Sequence, residues 1–112
     1  MNMIFISYSW EYKNLVEEYS GFLKSQNESV WIDDEKIDLE MPLFNQIKIG
    51  IFTCDVFIQV VDSKMNISKW MEIEYNLACK YLKRENIYIL PVSCLPGFKI
   101  NNSPNKASPP TG

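Results

Sequence analysis

The chain has 112 residues, enough for one small domain, and the 46% hydrophobic and 22% charged residues are the balance of a protein with a folded core. A net charge of −3 argues against nucleic acid as a main partner, because binding phosphates requires a basic surface. The chain contains no histidine, which excludes Ser-His-Asp and Cys-His catalysis and the usual zinc sites.

The sequence features that bear on cellular location predict a cytoplasmic protein. No apolar run approaches the roughly 20 residues that a membrane-spanning helix needs. The first residues lack the basic segment of a signal peptide. Three widely spaced cysteines, Cys54, Cys79 and Cys94, each lie in an apolar stretch. We therefore expect buried free thiols in a reducing compartment.

The first third of the chain predicts a strand, a helix and a second strand. Residues 3–6 are a short apolar run, which is typical of a buried strand. Apolar residues then recur at helical spacing over residues 11–25. Residues 30–32 predict the second strand, which ends at two aspartates. The aromatic residues of the helical segment are expected in the core: Tyr12, Tyr19 and Phe22.

The rest of the chain repeats this alternation. Pro42 suits the first position of a helix. Residues 56–61 are the clearest strand, and Ser68 then suits the N-cap of another helix. Residues 87–90 predict a fourth strand, which Pro91 closes. The expected buried face of the helix after Pro42 consists of Phe44, Ile47 and Ile51.

The order βαβαβαβ, with apolar runs rather than alternation, predicts a parallel sheet covered on both faces. Right-handed crossovers make such a sheet doubly wound, and ligands then bind beyond the carboxyl ends of its strands. Polar residues that follow the predicted strands therefore share one edge of the sheet: Ser7, Tyr8, Ser9, Asp33, Asp34, Asp62 and Ser63.

Glu74 is the residue that breaks the pattern of its own helix. A projection at about 100° per residue places it in the middle of an apolar arc, one turn from Trp70. A carboxylate there is desolvated or faces a cleft, and desolvation is costly without a partner. Two interpretations stay open: a functional carboxylate, or a buried one capped by Ser7 or Tyr8.

The end of the chain has a different composition. Prolines, glycines and polar residues punctuate residues 96–112 without a hydrophobic period. We therefore expect one domain over residues 1–95, followed by a flexible tail or linker.

Five blocks of sequence resemble a known family in order and spacing. They begin at Phe5-Ile6-Ser7-Tyr8-Ser9 and continue through Val30-Trp31-Ile32-Asp33 and Cys54-Asp55-Val56-Phe57-Ile58. Ser68-Lys69-Trp70 with Glu74 and Ala78 follows, and then Ile89-Leu90-Pro91-Val92. The chain resembles a TIR (Toll/interleukin-1 receptor) domain over residues 3 to about 93. The resemblance implies a flavodoxin-like α/β fold, with a parallel sheet of about four to five strands and helices on both faces.

The chain departs from the family pattern in two places. The loop after the second strand usually carries a glycine near Glu40 and Met41, and this sequence has none there. A fifth strand and a last helix usually follow the Pro-Val block. The sequence is thus expected to be a minimal version of the domain or part of a longer protein.

The W-x-x-x-E spacing of Trp70 and Glu74 resembles the enzymatic branch of the family, which cleaves NAD+. The resemblance implies an NAD+ glycohydrolase with Glu74 as the catalytic carboxylate and Trp70 stacking on a ring of the ligand. It implies no metal and no cofactor, because NAD+ is the substrate. The other expected substrate-binding residues are Ser7, Tyr8, Ser9, Trp10, Asp33, Asp38 and Ser63.

In this family a second protomer often completes the pocket, here through residues 36–43. The resemblance therefore implies homotypic assembly, a fused or separate sensor domain, and a role as effector in antiphage defence or immune signalling. Two other functions stay open: synthesis of a cyclic ADP-ribose signal, and a non-enzymatic adaptor that acts by TIR–TIR contact.

Simple structural roles stay open for several of these residues, and two other protein classes do not fit. Ser7 and Ser9 suit helix N-caps, and Trp70 suits a helix edge. A response-regulator receiver needs an acidic pair after its first strand, where this chain has Ser7 to Ser9. A dinucleotide-binding fold needs a glycine-rich phosphate loop, and none of the four glycines follows a strand in that pattern.

Overall fold

The computed structural model describes residues 2–32 and 42–98, and all four predicted strands are confirmed within them. Short 3-10 turns span Trp10–Tyr12, Arg84–Asn86 and Val92–Cys94. The strands and longer helices, in chain order, are β1 (Met3–Ser7), α1 (Lys13–Ser25), β2 (Ser29–Trp31), α2 (Leu43–Thr53), β3 (Val56–Val61), α3 (Lys69–Tyr81) and β4 (Ile87–Pro91).

The strands form one parallel sheet in the order β2-β1-β3-β4. The order reverses between β1 and β3, since the chain first moves from β1 to β2 and then crosses to the other side. Ser7, the last residue of β1, lies opposite Gln59 of β3. This arrangement confirms the doubly wound, flavodoxin-like α/β fold predicted from the sequence.

Alternation along the strands divides the core between the two faces of the sheet. Ile4 and Ile6 of β1 pack with Val16 of α1 on one face. Phe5, between them in sequence, packs with Ile47 of α2 and Ala78 of α3 on the other face. Helix α1 therefore covers one face, and α2 and α3 cover the opposite one. Ser7 shares the direction of Phe5, so its side chain faces α3.

Helix α2 buries Ile47 and Ile51 as predicted, but it is rotated so that its buried face lies away from Phe44. Pro42 precedes the helix as its N-cap, with ψ 137°, and is not its first helical residue. The expectation that Phe44 is buried is wrong, because 44% of its surface is exposed, whereas Gln46 is buried. Gly50 explains the rotation, since its missing side chain allows α2 to lie directly against Phe5 and Trp31.

Helix α1 buries small residues against the sheet, so one of its aromatic residues was assigned wrongly. Val16 and Ser20 are its buried positions. Tyr12 and Tyr19 are half-buried and pack against the core, as expected for aromatic residues at this face. Phe22 was expected in the core, but 52% of its surface is exposed.

Strand β4 lies at the edge of the sheet. It pairs with β3, and no other strand in residues 2–32 or 42–98 pairs with it. Tyr88 is 53% exposed and Ile89 is 45% exposed, although β3 beside it is almost entirely buried. None of the residues of β4 carries a charge.

The segment after β4 packs onto the domain. Leu95 is buried, and Phe98 contacts the core under α1. Gly97 between them has φ 87°, a left-handed conformation that favours glycine. Residues 99–112 lie outside the described part, so the flexible tail and the domain end at residue 95 stay predictions. None of the helices in the described ranges is long and apolar enough to cross a membrane.

The expectation of three buried thiols is right for one cysteine and wrong for two. All three cysteines are free, but only Cys54 is buried. Its Sγ donates to the carbonyl oxygen of Ile51 at 3.2 Å. Burial raises the pKa of the Cys54 thiol to about 11. Cys79 and Cys94 are exposed, because each lies on the outer side of an element whose opposite side faces the core.

We predict that a thiol reagent at mildly alkaline pH labels two cysteines of the native protein rapidly and the third only after unfolding. The raised pKa leaves Cys54 protonated, and the thiolate is the reactive form. The Cys79→Ser and Cys94→Ser variants should each have one rapidly labelled thiol fewer than the parent. Three fast thiols in the folded protein would contradict the burial of Cys54.

We predict opposite effects on stability from alanine at two helical glycines. A Cβ at Gly50 would lie 3.1 Å from both Phe5 and Trp31, two stacked rings with little room to shift. Gly50→Ala should lower the free energy of unfolding by about 1–3 kcal/mol.

Gly21 is the matched control, since a Cβ there meets no atom within 4 Å. Gly21→Ala should raise stability by up to about 1 kcal/mol through helix propensity. Urea unfolding measures both variants. Equal stability of Gly50→Ala and the parent would disprove close packing of α2 on the sheet.

Candidate functional site

The candidate site lies under the carboxyl edge of the sheet, where β1 and β3 meet α3. The cap of α3 sets the rotation of that helix, because the Oγ of Ser68 accepts the N–H of Met71 at 3.1 Å. This confirms the predicted N-cap. Met71, Glu74 and Ala78 then face the sheet as the buried residues of the helix.

Glu74 is deeply buried, with 1% of its surface exposed. The hydroxyl of Ser7 donates to its Oε1 at 2.6 Å, joining the end of β1 to the middle of α3. That length lies at the short end of the range for O–H···O hydrogen bonds. The pair thus unites two residues that the sequence analysis singled out separately, and it is the arrangement anticipated for a carboxylate capped by Ser7.

A third residue, Gln59 of β3, completes the cluster. Its Nε2 donates to Ser7 Oγ at 3.0 Å and to the carbonyl oxygen of Met71 at 2.9 Å. The sequence analysis did not identify Gln59 as a site residue. The signal was present, since Gln59 is the one polar residue of the strand Val56–Val61.

Asp62, just beyond β3, organises the next loop. Its Oδ1 accepts the N–H groups of Lys64 and Asn66, each at 3.0 Å. The hydrogen bond from the Asn66 N–H is the main cause that lowers the pKa of Asp62. The phenol of Tyr12 lies 3.5 Å from Oδ2. Asp62 therefore has a structural role at the start of this loop.

A cleft of about 270 Å³ opens beside this loop, at the carboxyl ends of β3 and β4. Ser63, an expected substrate-binding residue, lines it together with Asp62 and Tyr12. Val60 of β3 and Val92 beyond β4 belong to the core under α1, whereas Ser7 and Gln59 face α3. Ser63 thus lies at the same edge of the sheet as Glu74 and lines this cleft, whereas Glu74 is buried on the other face of the sheet.

The remaining expected residues are placed around the edge. Ser7 lies within β1, so the alternative that it caps the first helix is wrong. Ser9 precedes the Trp10–Tyr12 turn and makes no side-chain cap bond to it. Tyr8, between them, is half-buried and packs against the core under α1.

The two tryptophans among the expected substrate-binding residues both reach solvent. Trp10 is 66% exposed, and the ammonium group of Lys13 lies 4.4 Å from its ring centroid. Trp70 is 39% exposed in the first turn of α3, one turn before Glu74. Asp33 and Asp38 lie outside the described residues. Within residues 2–32 and 42–98, no group of three acidic or cysteine side chains is arranged to hold a metal ion.

Comparison with known proteins connects this chain to one family. A family model described as a TIR domain matches residues 4–105. A search of curated proteins found no match.

Eighteen chains of solved structures match this one, and two of them illustrate the shared fold. The CMP N-glycosidase BcmB of Clostridium botulinum is 21% identical with a TM-score of 0.58, covering 80% of this chain and 67% of that one. A prokaryotic SEFIR domain is 17% identical with a TM-score of 0.51, covering 80% of this chain and 66% of that one.

We predict that Ser7→Ala lowers the free energy of unfolding by about 1–3 kcal/mol, because it removes a buried donor to Glu74 and a buried acceptor for Gln59. Ser9→Ala is the control, since Ser9 lies outside this cluster, and it should change stability by no more than about 0.5 kcal/mol. Urea unfolding compares the two. A Ser7→Ala protein as stable as Ser9→Ala would count against the hydrogen bonds at Ser7.

Proposed function

Because the chain belongs to the TIR domain family, we propose that it is an NAD+ glycohydrolase, which cleaves the bond between nicotinamide and ribose. The observation that carries this proposal is the buried carboxylate of Glu74, held by Ser7 at the carboxyl edge of a parallel sheet. That edge is where doubly wound folds bind their ligands.

The chemistry suits a chain without histidine. Cleavage of an N-glycosidic bond passes through a transition state with oxocarbenium character, as in other glycoside cleavage. Nicotinamide leaves as a neutral molecule, so a strong general acid is not required. A carboxylate near the ribose stabilises the developing positive charge and accepts hydrogen bonds from the ribose hydroxyls. Glu74 takes this role, and its low-dielectric surroundings strengthen the attraction.

Access to Glu74 is part of the proposal. With 1% of its surface exposed, Glu74 meets a substrate only when neighbouring groups at the sheet edge move. We attribute this opening to self-assembly through residues 36–43, triggered by a fused or separate sensor domain. The described end of that segment, Pro42 and Leu43, is exposed at the start of α2.

Other residues are proposed to bind the substrate around this carboxylate. The half-exposed ring of Trp70 offers a face for stacking on nicotinamide or another ring. Ser7 orients Glu74, and Tyr8, Ser9 and Trp10 follow β1 at the same edge. We propose the same substrate-binding role for Ser63, Asp33 and Asp38.

Cleavage of a nucleotide other than NAD+ is a second candidate function. The structural neighbour from Clostridium botulinum is named as a CMP N-glycosidase, and CMP also joins a base to ribose through an N-glycosidic bond. The same carboxylate would stabilise the ribosyl cation formed from CMP, but cytosine, unlike nicotinamide, must also gain a proton to leave as a neutral molecule. A third product class, cyclic ADP-ribose, arises from NAD+ when an internal nitrogen rather than water captures the ribosyl intermediate.

An adaptor function rests on a different observation. Helix α2 exposes large apolar side chains, with Phe52 63% and Ile49 51% exposed. They line a cavity of about 430 Å³ between α2 and α3. Such a surface suits contact with another protein, including a second TIR domain. Assembly through it is compatible with either an enzyme or a non-enzymatic adaptor in cytoplasmic immune signalling or antiphage defence.

We predict that Glu74→Gln lowers NAD+ turnover at least about 100-fold. The substitution keeps an acceptor for the Ser7 hydroxyl and removes the charge, so the fold should survive. Glu72→Gln is the matched control, because it makes the same charge change at an exposed position of the same helix. Chromatography of the products separates ADP-ribose from its cyclic form, and CMP is tested in parallel.

The assay is run over a range of protein concentrations, since self-assembly should raise the rate per molecule as concentration rises. Turnover by the parent and Glu72→Gln but not Glu74→Gln supports the enzyme. Full activity in Glu74→Gln would overturn the assignment of the carboxylate. A parent that cleaves neither NAD+ nor CMP at any concentration would favour the adaptor.

A further inference from the structure

Gln59 is an unusual residue for its position. It lies in the middle of a buried parallel strand between Ile58 and Val60, and 3% of its surface is exposed. Burying an amide without hydrogen bonds is costly, so a side chain there needs partners for its polar atoms. An apolar residue would satisfy the packing of the strand alone. The amide therefore calls for an explanation beyond the core.

The chemistry of the partners fixes the orientation of the amide. The carbonyl oxygen of Met71 only accepts hydrogen bonds, so the nitrogen of the Gln59 amide, and not its oxygen, must face it. The second N–H of the same nitrogen then points to Ser7 Oγ. The amide group of this β3 residue is thus hydrogen-bonded to both α3 and β1.

The orientation of Gln59 also fixes the hydrogen of the Ser7 hydroxyl. A serine hydroxyl has one hydrogen, and its oxygen here accepts from Gln59. The hydrogen is directed to Glu74 Oε1, 2.6 Å away. The hydrogen bonds run in one direction, from Gln59 through Ser7 to the carboxylate.

The bond to Met71 adds a second constraint. Met71 lies three residues before Glu74, which is one helical turn. Holding its carbonyl oxygen at 2.9 Å from Gln59 fixes how far α3 lies from the sheet at the level of the carboxylate. Gln59 therefore sets both the direction of the bond that Glu74 accepts and the distance of Glu74 from β1.

We propose that Gln59 is a positioning residue for the reaction, which acts through Ser7 and Met71 to hold Glu74 in one orientation toward the ribose. This inference rests on the proposed function, because it assigns Gln59 to the same carboxylate. Misplacement of a reacting group by about 1 Å is enough to cost about 100-fold in rate. Gln59 has no contact with substrate in this proposal, so its loss should affect kcat rather than KM.

The test uses Gln59→Met, which keeps a long side chain for packing and removes both N–H donors. We expect kcat for NAD+ to fall about 10- to 100-fold, with KM changed by less than about twofold. Gly50→Ala is the stability control, since it disturbs α2 against Phe5 and Trp31 without touching the cluster. It should retain the parental kcat at a temperature where both variants are folded.

A double variant tests the route through Ser7. If Gln59 acts through Ser7, the loss of kcat in Ser7→Ala with Gln59→Met should be smaller than the product of the two single losses. A second double-mutant cycle compares the urea unfolding midpoints of the parent, the two single variants and the double variant. This cycle does not depend on enzyme activity. These midpoints should also be non-additive, because the two residues share a hydrogen bond.

The outcomes separate this inference from the proposed function. If the parent is active and Gln59→Met keeps the parental kcat, the positioning role is overturned and the enzyme assignment stands. An equal loss of kcat in Gly50→Ala also overturns the positioning role, because lost stability would then explain the effect. If the parent has no activity, the proposed function and the positioning role are both overturned. Non-additive unfolding midpoints would then give Gln59 a purely structural role.

Discussion

The short hydrogen bond from Ser7 to Glu74 is the contact on which the arrangement of this domain depends. A carboxylate with 1% exposure is tolerated in a core only when a donor meets it, and that donor comes from the end of a different element. The register of β1 against β3 brings Gln59 beside Ser7, and the cap of α3 turns Glu74 toward both. Strand pairing, helix rotation and the position of the carboxyl group are therefore coupled.

Much of the fold was predictable because each element carries its own local signal. The apolar run of β3 and the N-cap Ser68 mark boundaries that the structure confirms. The position of Glu74 in an apolar arc predicted that its carboxylate is either desolvated or faces a cleft, and the structure shows the first of these, with 1% of its surface exposed. The polar ends of β1 and β3 likewise predicted a common edge, because parallel strands present their carboxyl ends together.

The errors concern properties that no local pattern contains. Phe44 and Phe22 have the periodicity of buried residues, but the close approach that Gly50 allows and the small residues of α1 turn them outward. Gln59 was missed because its role depends on the strand beside it and the helix above it, which sequence spacing does not reveal.

The uncharged edge strand β4 has a consequence for how this domain meets another extended chain. Its outer backbone groups and the exposed Tyr88 and Ile89 form a ready template to which another extended chain adds as a new strand. Natural proteins discourage such growth with charged residues, proline or a bulge, and β4 carries no charge but ends in Pro91, which has no backbone N–H to offer. Among the described residues, β4 is therefore the strand at which a further strand has the most exposed apolar surface to pack on.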